Sequence, residues 1–75
     1  MNKYSATCIA IADVIKAHSK GVNSALQLTF WYSHITMMNV AISAGLITSY
    51  EYDVLDRYND IMFPSRNLIN QVSVF

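Results

Sequence analysis

Leu26-Gln27-Leu28-Thr29-Phe30-Trp31-Tyr32-Ser33-His34-Ile35-Thr36-Met37-Met38-Asn39-Val40-Ala41-Ile42 is the centre of a stretch, 21–50, that contains no Asp, Glu, Lys or Arg. Asn23 and Ser24 are good N-cap residues and Gly45 suits the left-handed position that closes a helix. The spacing therefore predicts one long helix from Asn23 or Ser24 to Ala44. Its apolar residues fall on two faces. Leu28, Trp31, Ile35, Met38 and Ile42 form one, with the alternating steps of three and four that seat a helix on a partner. Leu26, Phe30, Met37, Val40 and Ala44 form the other. Between them run two polar strips, Thr29/Tyr32/Thr36/Asn39/Ser43 and Gln27/His34. A helix apolar nearly all round is a buried one, so this helix is expected to be central and buried on two faces.

A span of about 20 residues would also cross a bilayer. Gln27, His34 and Asn39 would then lie in hydrocarbon, and no Lys or Arg cluster flanks either end to set an orientation. Charged helices on both sides fit a soluble bundle better than a membrane-associated protein.

Upstream, Tyr4, Cys8, Ile11 and Ile15 recur at helical steps and predict a first helix from about Tyr4 to His18. Ala6, Ala10, Val14 and Ala17 extend that stripe with small side chains. Asp13, Lys16 and Lys20 mark the solvated face, with Ile9 among them as either an exposed residue or a partner contact. His18 falls in the last turn, where it complements the helix dipole, and Gly21 ends the helix.

Downstream, Thr48-Ser49-Tyr50-Glu51 matches a capping box, with Ile47 and Tyr52 in the positions of a hydrophobic staple. The third helix should run from Ser49 to about Met62 and stop ahead of Pro64. Tyr50, Val54, Tyr58 and Ile61 form its expected apolar face, flanked by Leu55 and Met62. Asp53, Asp56 and Asp60 share the outer face, and Asp53 can pair with Arg57. From Pro64 onward the pattern fits either a short helix capped by Ser65 or an extended tail with Phe75 packed.

The 75 residues are 53% hydrophobic and 13% charged with no net charge, which indicates a single globular domain over 1–75. A core of this size is marginal without disulfides, a metal or self-association. Cys8 is the single cysteine, so no internal disulfide forms and a reducing compartment, the cytoplasm, is the simpler expectation. No secretory signal is evident before Asp13. Zinc would need Cys8, His18 and His34, which lack paired ligand spacing. Homodimerisation is the remaining route.

The same residues give little support to catalysis. Cys8 sits in an apolar stripe, where a free cysteine acts as a small hydrophobe. His34 reads better as a hydrogen-bonded or interface histidine than as a ligand, and no phosphate-binding loop is present. Asp53, Asp56 and Asp60 make either a solvated face or an acidic docking surface for a basic partner. Too few Lys and Arg are clustered to bind phosphate backbones.

Val40-Ala41, Ala44-Gly45-Leu46 and Val54-Leu55 together resemble the apolar skeleton of a helix-turn-helix DNA-binding motif. That resemblance implies a small transcriptional regulator. Two departures stand against it: Glu51 occupies a position the pattern keeps apolar, and Glu51, Asp53, Asp56 and Asp60 face only Arg57 on the would-be recognition helix.

The resulting expectation is an all-α unit of three helices with a short C-terminal element, without enzymatic activity, cofactor or metal. Its expected role is that of a protein–protein interaction module. Small inhibitors and accessory proteins of phages and other mobile elements share this size and lack of a catalytic site. The expected partner surface is Leu28, Trp31, Ile35, Met38 and Ile42, meeting a second copy or a larger protein, with Asp53, Asp56 and Asp60 as the alternative.

Overall fold

Three helices make up the computed structural model, which describes residues 3–66: α1 (Ala6–Ser19), α2 (Ser24–Ser43) and α3 (Ser49–Met62). The expected all-α fold is observed. Each helix begins on a side-chain cap that accepts an amide of its first turn: Ser5 from Cys8, Asn23 from Leu26 and Thr48 from Glu51. Ser5 thus moves the start of α1 two residues past Tyr4. The expected terminal helix or strand falls on 67–75, outside the described residues.

Both helix connections depend on a glycine with positive φ, Gly21 at 69° and Gly45 at 74°. After α2, the Leu46 amide donates to the Ala41 carbonyl at 2.9 Å and the Gly45 amide to Ile42 at 3.1 Å. These two bonds are a Schellman closure. Thr48 then opens α3 at once through the anticipated capping box.

Each helix packs on the other two. Cys8, Ile11 and Ile15 of α1 meet Met38 and Ala41 of α2, Leu55 of α3, and Ile47 and Phe63 beside it. The Tyr4/Cys8/Ile11/Ile15 stripe of α1 is the one its spacing predicts, whereas Ala6, Ala10 and Ala17, expected to extend it, are exposed. α3 is turned by one residue from expectation. It buries Glu51, Leu55 and Asn59, while Tyr50 and Ile61 stay 59% and 72% exposed.

Glu51 explains how a carboxylate enters that buried stripe. It accepts from the backbone amides of Ser5 and Thr48, at 2.6 Å and 2.9 Å, and from the Ser5 hydroxyl at 3.2 Å. One side chain therefore ties together the first turns of α1 and α3, which must run side by side in the same direction. α2 runs back against both in an up–down–up arrangement. The two backbone amides, with the hydroxyls of Ser5 and Thr48, hold the Glu51 carboxyl below its ordinary range despite its burial.

Its folded pKa is thus below the unfolded value of about 4.3. The stabilisation is complete above that value and is lost as pH falls through the folded pKa. Acid titration of the circular dichroism melting temperature should show this loss, and Glu51→Gln should be less stable at neutral pH with a flatter acid limb. Thr48→Ala should cost about 1 kcal/mol in urea denaturation, through loss of its N-cap.

Candidate functional site

α2 determines where the polar chemistry lies. Its inward side is His34, Met38 and Ala41, with Phe30, Trp31 and Ile42 packed alongside. The Gln27/His34 strip therefore points into the molecule rather than separating two buried faces, and the Thr29/Tyr32/Thr36/Asn39/Ser43 strip is exposed. Leu26, Met37 and Val40 are left at the surface, Val40 with 64% of its area open.

His34 is fully buried, and both its ring nitrogens are engaged. Nδ1 lies 2.9 Å from Asn59 Oδ1, and Nε2 lies 2.8 Å from Nδ1 of His18. Asn59 Nδ2 donates to the Trp31 carbonyl at 3.1 Å, which turns its Oδ1 toward His34. The partners then assign the protons. His34 donates from Nδ1 to Asn59, and its bare Nε2 accepts from His18 Nδ1–H. The result is one directed chain, His18 to His34 to Asn59 to the Trp31 carbonyl, crossing all three helices. Phe30 stacks on His18 at 4.5 Å, and Phe63 tilts against His34 at 5.3 Å.

Burial lowers the His34 pKa, and neighbouring His18 lowers it further, against an opposing effect of the Asn59 hydrogen bond. The ring is neutral at pH 7, as the chain of donors requires.

A second polar group closes the far end of α3. Trp31 donates its indole N–H to Asp60 Oδ1 at 2.9 Å, and Arg66 Nη2 lies 3.5 Å from the same oxygen. Arg66 also donates to the carbonyls of Asp60 and Phe63 and sits 5.3 Å from the Trp31 ring centre. These contacts satisfy the Asp60 carbonyl in the last turn of α3 and that of its C-cap, Phe63.

The sequence-predicted residues separate accordingly. Met38 is fully buried, and Trp31 and Ile42 pack on the core, so this part of the expected partner surface faces the protein's own interior. Leu28 and Ile35 are half-buried on its edge. Of the acidic triad, Asp60 is held by Trp31 and Arg66, and Asp56 is half-buried, leaving Asp53 exposed. Burial, then repulsion from Asp60 and Asp53, raises the Asp56 pKa. Asp53 and Arg57 do not form the expected ion pair among the described residues.

An apolar groove of about 330 Å³ lies between α1 and α3, lined by Cys8, Ile9, Ala12, Val54, Leu55 and Tyr58. Ile9 is accounted for here, on the groove wall. The Cys8 thiol is pushed up by burial and then by the Glu51 charge, opposite to the activation a nucleophile needs. Among the described residues no group of three or more His, Cys, Asp or Glu is placed to hold a metal, and no helix is long and apolar enough to cross a membrane. No protein-family model, curated protein or solved structure matches the chain.

Because the folded pKa of His34 lies below its unfolded value of about 6.5, its contribution is complete above that value. It is lost as pH falls from there toward the folded pKa. Urea denaturation at stepped pH should show stability declining below about 6.5, a decline that His34→Leu abolishes. Asn59→Ala leaves the buried Nδ1–H unpartnered and should cost about 1–3 kcal/mol at neutral pH.

Proposed function

We propose that the protein is a non-enzymatic interaction module that acts in the cytoplasm by binding a larger protein. Phage and mobile-element accessory proteins, including inhibitors of host defence, work in this way with similar economy. The buried polar side chains of the described residues support this reading, because His34, Asn59 and Glu51 are occupied by hydrogen bonds within the fold. Beside its polar and charged residues the surface carries open apolar side chains.

The observation that carries the proposal is a patch at the α2–α3 connection, where Leu46 and Tyr50 are 54% and 59% exposed. Tyr4 lies beside it with its ring parallel to Tyr50 at 6.4 Å, and the Lys3 ammonium is within about 6 Å of both rings. Tyrosines beside a cation and an open leucine have the composition of an interface centre. The helix-turn-helix alternative gains the right hairpin shape from Gly45. Asp53 and Asp56 on the outer side of α3 would still repel a phosphate backbone.

Affinity capture from lysates of the producing cell and its host tests the proposal. A specific larger protein should be retained by the wild type and by Asp53→Asn/Asp56→Asn. Tyr50→Ala should weaken its binding by about 30-fold, the loss of one hot-spot side chain. Capture that Tyr50→Ala leaves unchanged, or no specific capture, would overturn the assignment. Retention on immobilised duplex DNA at low salt would favour the regulator instead.

A further inference from the structure

We infer that the outer side of α2 is a self-association seam that pairs two copies of the chain antiparallel. This inference rests on the reading of the protein as an interaction module and names a second partner for it. Leu26, Phe30, Ser33, Met37, Val40 and Ala44 follow one another at steps of four, three, four, three and four. That is the spacing by which one helix lies along another. The other seam of α2 already packs into the core through Trp31, Met38 and Ile42. On the outer seam Phe30 is half-buried, its ring stacked on His18 and packed at the edge of the core, and the remaining five residues are exposed.

The order of side-chain sizes along the seam identifies the occupant. A two-fold axis midway between Ser33 and Met37 sets Leu26 against Ala44, Phe30 against Val40 and Met37 against Ser33. Every larger side chain then faces a smaller one, the condition for filling an interface without voids. A parallel pair would oppose Phe30 with Phe30 and Ser33 with Ser33, crowding one layer and emptying the next.

Charge favours the same partner. The stretch 21–50 carries none, so a self-complementary contact brings no like charges together. The seam equally offers no charge pattern by which a foreign helix would be selected. At 1.5 Å per residue the seam is about 27 Å long. A strip of that size falls toward the small end of specific interfaces, below about 1,200 Å² in total. The dimer is accordingly a micromolar one.

Sedimentation velocity over the micromolar range tests the inference. The wild type should pass from monomer to dimer. Val40→Glu and Met37→Glu should weaken dimerisation at least tenfold with unchanged helical circular dichroism, since both side chains are exposed in the monomer. In a Cys8→Ala background, a mixture of Ser33→Cys and Met37→Cys proteins should form the crossed disulfide on oxidation. A wild type that stays monomeric, a dimer indifferent to both glutamates, or efficient cross-linking of Ser33→Cys to itself would each overturn the antiparallel seam. A monomer that still captures a larger protein through Tyr50 refutes the seam alone. A dimer that captures nothing refutes the proposed function alone.

Discussion

The rotation of all three helices depends on a neutral histidine in the middle of the core. An imidazole without solvent must have one nitrogen donating and the other accepting, because an unpaired buried polar atom costs about 1–3 kcal/mol. His34 meets that requirement only when α1 brings His18 and α3 brings Asn59 to its two ends. Placing Asn59 inward in turn places Leu55 and Glu51 inward, since they precede it at steps of four. Glu51 then reaches Ser5 and fixes α1 from its other end. The hydrogen-bonded core thus determines which faces meet, and the apolar residues supply most of the energy once they meet.

The boundaries of the helices were legible because they are local. Asn23, Gly45, Thr48, Glu51 and Pro64 each act within a few residues of themselves, and α3 spans Ser49–Met62 as its capping box and proline require. The stripe of α1 was legible for the same reason. What the pattern concealed was the facing of α2 and α3. Hydropathy assigns Asn59 and Glu51 to solvent, and treating them so turns α3 toward Tyr50, Val54, Tyr58 and Ile61. Nothing in the spacing signals that His34 and Asn59, 25 positions apart, satisfy one another. One local signal was available for Ser5, a serine three residues before an amide in an apolar stripe. The Asp53, Asp56 and Asp60 row concealed a different division, because Asp60 is claimed by a tryptophan from another helix.

The polar core also resolves an ambiguity that apolar burial alone would leave. α2 carries two seams of nearly equal hydrophobicity, so either could be turned inward at similar gain. The Gln27/His34 strip lies between them and is drawn toward the centre, where Gln27 accepts the Ser65 amide and His34 completes its chain. That orientation carries Trp31, Met38 and Ile42 onto the core, where Trp31 finds Asp60 of α3. Leu26, Met37 and Val40 are carried into solvent. Among the described residues no further element covers them, so the exposed seam follows from the satisfaction of the histidine. The same buried hydrogen bonds that specify the monomer thereby choose which side of its central helix is left at the surface.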